Sequence, residues 1–254
     1  MGKKEFDDYY RALYGGRWDR LAGALGEAAR RGPYTVGPGK PYMIDYASVL
    51  AARSLRLPAQ GLVLDACAAP GGKTLVLAAE SAPQVKILAN EMSAARRRRL
   101  VSVLDEHLDG ETRDKVSVSG FDAAAIASRK SEHSRFDGIL LDAPCSCERY
   151  VLGSETHLAR WTPVRPRFLA GRQWALLSAA FLLLKEGRSL VYSTCALSFE
   201  ENDGVASRLL SKYGGGVSLD RPDFREGEDT LYGRIILPDT GSGMGPIYVA
   251  RFRK

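Results

Sequence analysis

From Leu62 onward the chain alternates short apolar runs with stretches of helical periodicity, and this rhythm limits its folds more than any other feature. Strands are predicted at 62–65, 85–89, 116–118, 136–141 and 189–192, alternating with helices at 73–80, 94–104, 123–128, 168–184 and 201–210. A strand that returns through a helix lies parallel to its predecessor, so the pattern implies an α/β fold with a mostly parallel sheet. Two last strands, at 235–237 and 247–252, have no helix between them, and one is expected to be antiparallel. The segment from 142 to about 166 reads as irregular.

The first part of the chain has a different pattern. Residues 5–31 read as helix, with Phe6, Tyr9, Tyr10 and Leu13 at helical spacing and Gly15-Gly16 as a break before Trp18. Residues 32–41, rich in Pro and Gly, read as a loop, and 44–55 as a further helix stopped by Pro58. Two regions are therefore expected: a helical extension at 1–57 and one α/β catalytic domain at 58–254. No run approaches the ~18–20 apolar residues of a membrane span. The first eight residues mix Lys3 and Lys4 with Glu5, Asp7 and Asp8 and resemble neither a secretory signal nor a transit peptide. A cytoplasmic monomer is the expectation. Four cysteines without a C-x-x-C, and three dispersed histidines, suit neither a disulfide scaffold nor a zinc site, so reduced thiols and no metal are expected.

The loop after the first strand reads Asp65-Ala66-Cys67-Ala68-Ala69-Pro70-Gly71-Gly72-Lys73-Thr74. Ligands of open α/β sheets bind at such strand-to-helix turns, where glycines admit a ligand and the helix N-terminus offers free N–H groups. A P-loop would need a glycine where Cys67 stands, and Pro70 removes a donor from its anion cradle. The dinucleotide fingerprint fails as well, because the glycines are adjacent. An ordinary tight turn and an S-adenosylmethionine loop remain. The second requires an acid after the next strand to hold ribose hydroxyls. Glu91, 26 residues beyond Asp65, stands there, and Asp122 after the third strand is placed to meet an adenine amino group.

Two thiols end two consecutive strands: Cys145, in Asp142-Ala143-Pro144-Cys145, and Cys195, in Ser193-Thr194-Cys195. Consecutive strands in such a sheet usually adjoin, so both thiols should project at its carboxyl edge. A lone cysteine is most simply a small buried hydrophobe. That reading suits Cys67 by itself, and Cys147 reads as a bystander. A pair beside an acid suits covalent catalysis on a pyrimidine. A thiolate added at C6 of cytosine makes C5 enamine-like and able to accept a methyl group, and a neighbouring acid stabilises the ring charge.

Together DACAAPGGKT (65–74), NEMS (90–93), DAPCSC (142–147) and YSTCALSFEEN (192–202) resemble the Nop/Sun (RsmB-like) family of RNA cytosine-5 methyltransferases. The resemblance covers roughly 40–254. It implies a Rossmann-like fold that uses S-adenosylmethionine, with Cys195 as nucleophile, Cys145 assisting elimination, Asp142 hydrogen-bonding the cytosine and Lys73 positioning the site. Cofactor contacts would come from Cys67, Ala68, Ala69, Pro70, Gly71, Gly72, Lys73, Glu91, Asp122 and Asp142. DNA cytosine-5 methyltransferases instead use the P-C cysteine as nucleophile. The family's Gln-Asp segment appears here as Ile44-Asp45, and Gly245-Pro246-Ile247-Tyr248 resembles the short mitochondrial-type members. Like those short members, the chain is expected to carry no appended RNA-binding domain, and a partner protein that delivers the RNA is a corresponding expectation.

The net charge of +6 gains meaning from its distribution. Between 149 and 172 lie Arg149, Arg160, Arg165, Arg167 and Arg172 against Glu155 alone, with Tyr150, Trp161 and Phe168 interleaved. Cations for phosphates and aromatic faces for unstacked bases suit single-stranded RNA. Arg149, Arg160, Trp161, Arg165 and Arg167 are the expected RNA contacts. Arg96 to Arg99 point around a helix and read as a solvated face. Glu200, Glu201 and Asp203 read as first-turn residues stabilising a helix N-terminus. Ribosomal RNA is the expected substrate and tRNA the runner-up. A catalytically idle RNA-binding assembly factor and a small-molecule methyltransferase are the competing readings.

Overall fold

The computed structural model describes residues 2–254. Its elements in chain order are α1 (Gly2–Tyr14), α2 (Trp18–Gly26), β1 (Arg31–Tyr34), β2 (Tyr42–Asp45), α3 (Tyr46–Arg53), β3 (Gly61–Asp65), α4 (Gly72–Glu80), β4 (Val85–Asn90), α5 (Ala94–His107), α6 (Gly110–Arg113) and β5 (Val116–Ser119). They continue with β6 (Phe136–Asp142), α7 (Glu148–Leu152), α8 (Glu155–Ala159), α9 (Val164–Leu183), β7 (Leu184–Thr194), α10 (Asp203–Tyr213), β8 (Ser218–Leu219), β9 (Glu228–Asp229), β10 (Arg234–Ile236) and β11 (Ile247–Arg253).

The main sheet runs β5-β4-β3-β6-β7-β11-β10-β9, with β8 against β11. The strands from β5 to β7 are mutually parallel, and β11 runs antiparallel beside β7. Strand order reverses at β3, between β4 and β6, which makes its carboxyl end the topological switch point where such sheets take ligands. β6 is buried throughout except at Asp142, as a central parallel strand with both faces covered must be. The antiparallel expectation for the chain's end holds: β11 opposes β7, and β10 opposes β11.

Five local readings are corrected. The helix predicted to reach residue 31 stops at Gly26, and Arg31–Tyr34 pairs with Tyr42–Asp45 as an antiparallel hairpin across part of the predicted loop. Pro33 is tolerated because this two-stranded ribbon has only edges. The helix predicted from Ile44 begins at Tyr46, where Asp45 accepts the Ala47 N–H at 2.9 Å as its cap. The irregular segment contains α7 and α8, and the predicted helix at 123–128 shrinks to a single 3₁₀ turn, Ile126–Ser128.

The N-terminal helices are built into the core. Phe6, Tyr10, Trp18, Leu21 and Leu25 are buried in the same cluster as Leu141 of β6 and Tyr192 of β7. Trp161 completes that aromatic nest, edge-on to Phe6 with ring centroids 5.0 Å apart and to Tyr9 at 5.4 Å. Such pairs contribute about 0.5–1.5 kcal/mol each beyond area burial.

Candidate active site

The register of β6 and β7 assembles the centre. Asp142 pairs with Ser193, and Ala143 N–H donates to the Ser193 carbonyl at 2.9 Å. The chains leave their strands together, so Cys145 and Cys195 meet with sulfurs 2.9 Å apart. The backbone beyond Asp142 is irregular, and successive side chains point to opposite sides. Cys145 and Cys147 face the cleft, their sulfurs 3.5 Å apart, while Ser146 turns inward. Cys147 is also 3.3 Å from Cys195, so the predicted bystander belongs to a three-thiol cluster.

Asp142 is fixed at both oxygens. Lys73 Nζ donates to Oδ2 and Ser193 Oγ to Oδ1, each at 2.8 Å. Burial works against the Lys73 charge, but Asp142, Cys195 and Asp65 more than offset it and hold the ammonium above its usual range. Lys73 comes from the first turn of α4, reached through Gly71 with φ of 120°. The neighbouring Gly72 lies under the hairpin: an added Cβ would come within 2.9 Å of Tyr42 and 3.1 Å of Ile44. The β1–β2 ribbon thus roofs the loop, and a larger residue at position 72 would have to displace the Tyr42 and Ile44 side chains.

The thiols do not titrate alike. For Cys147, the S–H groups of Cys145 and Cys195, with Arg165 and Arg96, outweigh burial and bring it down to about 3. For Cys145, hydrogen bonding with Cys147 and Cys195, and burial, push it well up. For Cys195, the Cys145 contact lowers it, but Cys147, burial and the Asp142 charge leave it raised. Cys67 is pushed up to about 12 by burial and surrounding carboxylates, which keeps it a neutral thiol.

The cleft before these groups has a volume of about 610 Å³ and reaches Cys67, Lys73, Asp142, Cys145, Cys147 and Cys195. A second hollow of about 240 Å³ adjoins it through Cys67 and is lined by Glu91, Met92, Phe121 and Asp122. Glu91 is buried, accepts the Ser93 N–H at 2.8 Å and meets Arg96 at 3.2 Å. Asp122 is exposed and caps the Ala124 N–H at 2.9 Å. The structure therefore brings the 67–73 loop, Asp142, Cys145 and Cys195 to one cleft and places Glu91 and Asp122 in the hollow beside it.

Three predicted assignments fail. Trp161 is 2% exposed and packs in the N-terminal nest, so it offers no face to a base. Arg149 donates to the carbonyls of Gly245, Ala24, Leu25 and Glu27, clamping the end of α2 where unpaired carbonyls collect. Glu201 lies before α10 and is a buried polar anchor rather than a first-turn residue, whereas Asp203 does open α10 as expected and is buried as well. Glu201 accepts from Ser146 N–H and Gln173 Nε2, both at 2.9 Å, and Asp203 accepts from Thr230, Tyr232 N–H and Tyr248. Arg160, Arg165 and Arg167 remain exposed, and Tyr150 and Phe168 are the aromatic residues that face solvent there.

Several site residues lie outside the sequence expectations. Arg96 bonds the Ala69 carbonyl at 2.8 Å, and Arg97 bonds those of Glu91 and Met92 at 2.8 and 3.2 Å, so half of the basic run tethers the cofactor-side loops. Asp65 is fully buried, with Thr74 Oγ1 donating to its Oδ2 at 2.7 Å, and its other oxygen has no partner. Burial raises it to about 7. An acid closing a strand immediately before the glycine loop is the available signal for Asp65; Arg96 has none beyond its charge.

Strand order, the switch-point loop and the antiparallel β11 define the Rossmann-like methyltransferase fold. The chain belongs to the 16S rRNA methyltransferase RsmB/F family, whose family model matches residues 52–253. It is 42% identical over 160 residues to ribosomal RNA small subunit methyltransferase F of Aeromonas hydrophila, covering 63% of this chain and 32% of that protein. It is 32% identical over 225 residues to the mitochondrial tRNA (cytosine(34)-C(5))-methyltransferase of Mus musculus, covering 85% and 64%. It thus spans about a third of the bacterial relative and under two thirds of the mouse one. Among solved structures, NSun6 from Pyrococcus horikoshii with SFG aligns at a TM-score of 0.72 with 28% identity, over 85% of this chain and 53% of that one. A methyltransferase homolog from the same organism aligns at 0.76 with 25% identity, over 97% and 93%. No helix among the described residues is long and apolar enough to cross a membrane.

Proposed function

We propose that the chain is an S-adenosylmethionine-dependent RNA cytosine-5 methyltransferase, with residues 58–254 as its catalytic region and ribosomal RNA as its substrate. The observation that carries this reading is the 2.9 Å approach of Cys145 and Cys195 beside the Lys73–Asp142 pair at the carboxyl edge of the sheet. The residues fit the cofactor. Asp65 has an unpartnered buried oxygen, the 67–73 loop lines an open hollow of about 230 Å³ together with Asp65 and Asp142, and the buried Glu91 carboxylate closes the adjoining hollow. Glu91 would hold the ribose hydroxyls, Asp122 the adenine amine, and Asp65, Asp142 and the 67–73 loop the amino-acid end. S-Adenosylmethionine, when bound, supplies the electrophilic methyl group.

The chain's own residues do the rest. Cys195, its pKa held up in the resting site, gives its proton to water in the open cleft and adds as thiolate to C6 of a flipped cytosine, and the pair released from the C5–C6 double bond makes C5 nucleophilic. Asp142, immobilised by Lys73 and Ser193, accepts from the exocyclic amine and orients the ring. The Lys73 ammonium faces the thiolate and steadies its charge. After methyl transfer the C5 proton passes to water in the cleft, the C5–H pair re-forms the C5–C6 double bond and Cys195 leaves as thiolate, with Cys145, 2.9 Å from it, placed to assist that elimination. Arg160, Arg165 and Arg167, with Tyr150 and Phe168, form the RNA-facing rim. A partner protein that presents the RNA remains part of this reading, as does a chain acting as a monomer in the cytoplasm.

A second reading, tRNA, is favoured by one observation: the relative aligned over 85% of this chain is named for tRNA cytosine methylation. Bisulfite sequencing of rRNA and tRNA after incubation with the protein and S-adenosylmethionine tests both. Methylated cytosine in one class, absent with Cys195→Ala, is the expected result; no methylated cytosine in either contradicts the proposed activity.

A further inference from the structure

The mechanism uses two thiols, and the structure brings three together. Cys145, Cys147 and Cys195 place their sulfurs 2.9, 3.3 and 3.5 Å apart, pair by pair, on the wall of an open cleft. The proposed addition and elimination give Cys147 no bond to the base. A disulfide between the catalytic pair would not need it either. A ligand set for a soft cation does, because each additional thiolate adds a bond and the third distinguishes a site from a chance pair.

Geometry and charge are compatible with such an ion. Tetrahedral zinc at ~2.3 Å from each sulfur sets them about 3.8 Å apart, so the present gaps need to open by under about 1 Å. The thiols sit on chain segments leaving β6 and β7 rather than inside the strands, so the adjustment need not break the pairing of the sheet. Three thiolates and one divalent cation carry a net charge of −1. That charge would face the Lys73 ammonium, while Arg96 and Arg165 act electrostatically on Cys147. Among the described residues no fourth His, Cys, Asp or Glu joins the cluster, so water from the cleft would complete the coordination.

We propose that Cys145, Cys147 and Cys195 form a binding site for a thiophilic cation, zinc(II) in the first instance, and that the bound ion blocks Cys195 reversibly. Each thiol gives its proton to solvent as it binds, with no change in oxidation state. The ion and the C6 carbon of the pyrimidine then compete for one sulfur. The inhibitory half of this proposal rests on the methyltransferase reading; the binding half does not.

The test is equilibrium dialysis of the whole chain against zinc chloride under a non-chelating reductant, without RNA or cofactor. One zinc per chain is expected, with magnesium failing to compete. Cys147→Ser and Cys147→Ala, checked for unaltered melting temperature, should each weaken binding by more than roughly tenfold, since even outer-sphere partners of a metal are worth about 10- to 100-fold. In methyl-transfer assays, zinc should suppress the wild-type protein and a chelator should restore it, while Cys147→Ser, measured against its own zinc-free rate, should lose a smaller fraction of activity at the same zinc concentration. Substoichiometric zinc, or equal affinity in the Cys147 variants, overturns the site. An inactive, zinc-free wild-type protein that still binds one zinc through Cys147 contradicts the activity reading and leaves the site standing.

Discussion

Asp142 has no free choice of position: Lys73 and Ser193 hold one oxygen each, and both partners come from other elements. Such fixing matters because a group misplaced by an ångström loses much of its effect on a transition state. Glu91 is held in the same way by Ser93 and Arg96, and it lines the hollow beside Cys67. Hydrogen bonds to a charged acceptor are worth about 1.5–3 kcal/mol, so Glu91→Ala should weaken S-adenosylmethionine binding by about 10- to 100-fold in calorimetry. An unchanged affinity would remove Glu91 from the cofactor site.

At the scale of elements, the segment from α7 to the start of α9 divides by face. Arg149 and Trp161 look inward, to α2 and the aromatic nest, while Arg160, Arg165 and Arg167 look outward. Replacing those three outward arginines by glutamine should reduce the slope of log affinity against log salt for single-stranded RNA by up to about 2, at roughly 0.7 for each phosphate left unneutralised. An unaltered slope would move the RNA surface elsewhere. The strands, the switch-point loop and the convergence of Cys145 with Cys195 are legible in the sequence because each depends on local pattern plus the rule that consecutive strands adjoin. Trp161 misleads because nothing in its neighbourhood reveals Phe6 and Tyr9, distant in sequence, as its packing partners. The hairpin is hidden because Pro33 and the glycines around it carry a loop's composition. Cys147 has no sequence signal because only the three-dimensional path beyond Asp142 returns it to Cys195.

At the scale of the molecule, one buried network joins α1 to both cysteine-bearing loops. Tyr10 of α1 donates to Glu148 at 2.5 Å, Ser146 also bonds Glu148, and Ser146 donates to Glu201 at 2.5 Å. Leu197 N–H, from the loop after Cys195, donates to Glu148 at 3.1 Å. The Cys145–Cys147 and Cys195 loops are thereby tied to each other and to α1. Burial, and the charge of Glu201, raise Glu148 from 4.5 to about 7, and burial raises Glu201 as well. A carboxyl whose folded-state value is raised lends stability that is complete below about 4.5 and lost as pH climbs through 7. Melting temperature should therefore fall across that window. Glu148→Gln should flatten the fall while lowering stability overall, through a poorer match to the Leu197 N–H. A slope unchanged in Glu148→Gln would place the titration elsewhere.

The central claim is that Cys195 attacks the base and Cys145 releases it. Each cysteine variant incubated with cytosine-containing RNA and S-adenosylmethionine, then run on a denaturing gel, tests it most directly. Cys145→Ala should accumulate a covalent protein–RNA adduct, and Cys195→Ala should form none. An adduct in Cys195→Ala but not in Cys145→Ala would reverse the roles of the two thiols and contradict the account.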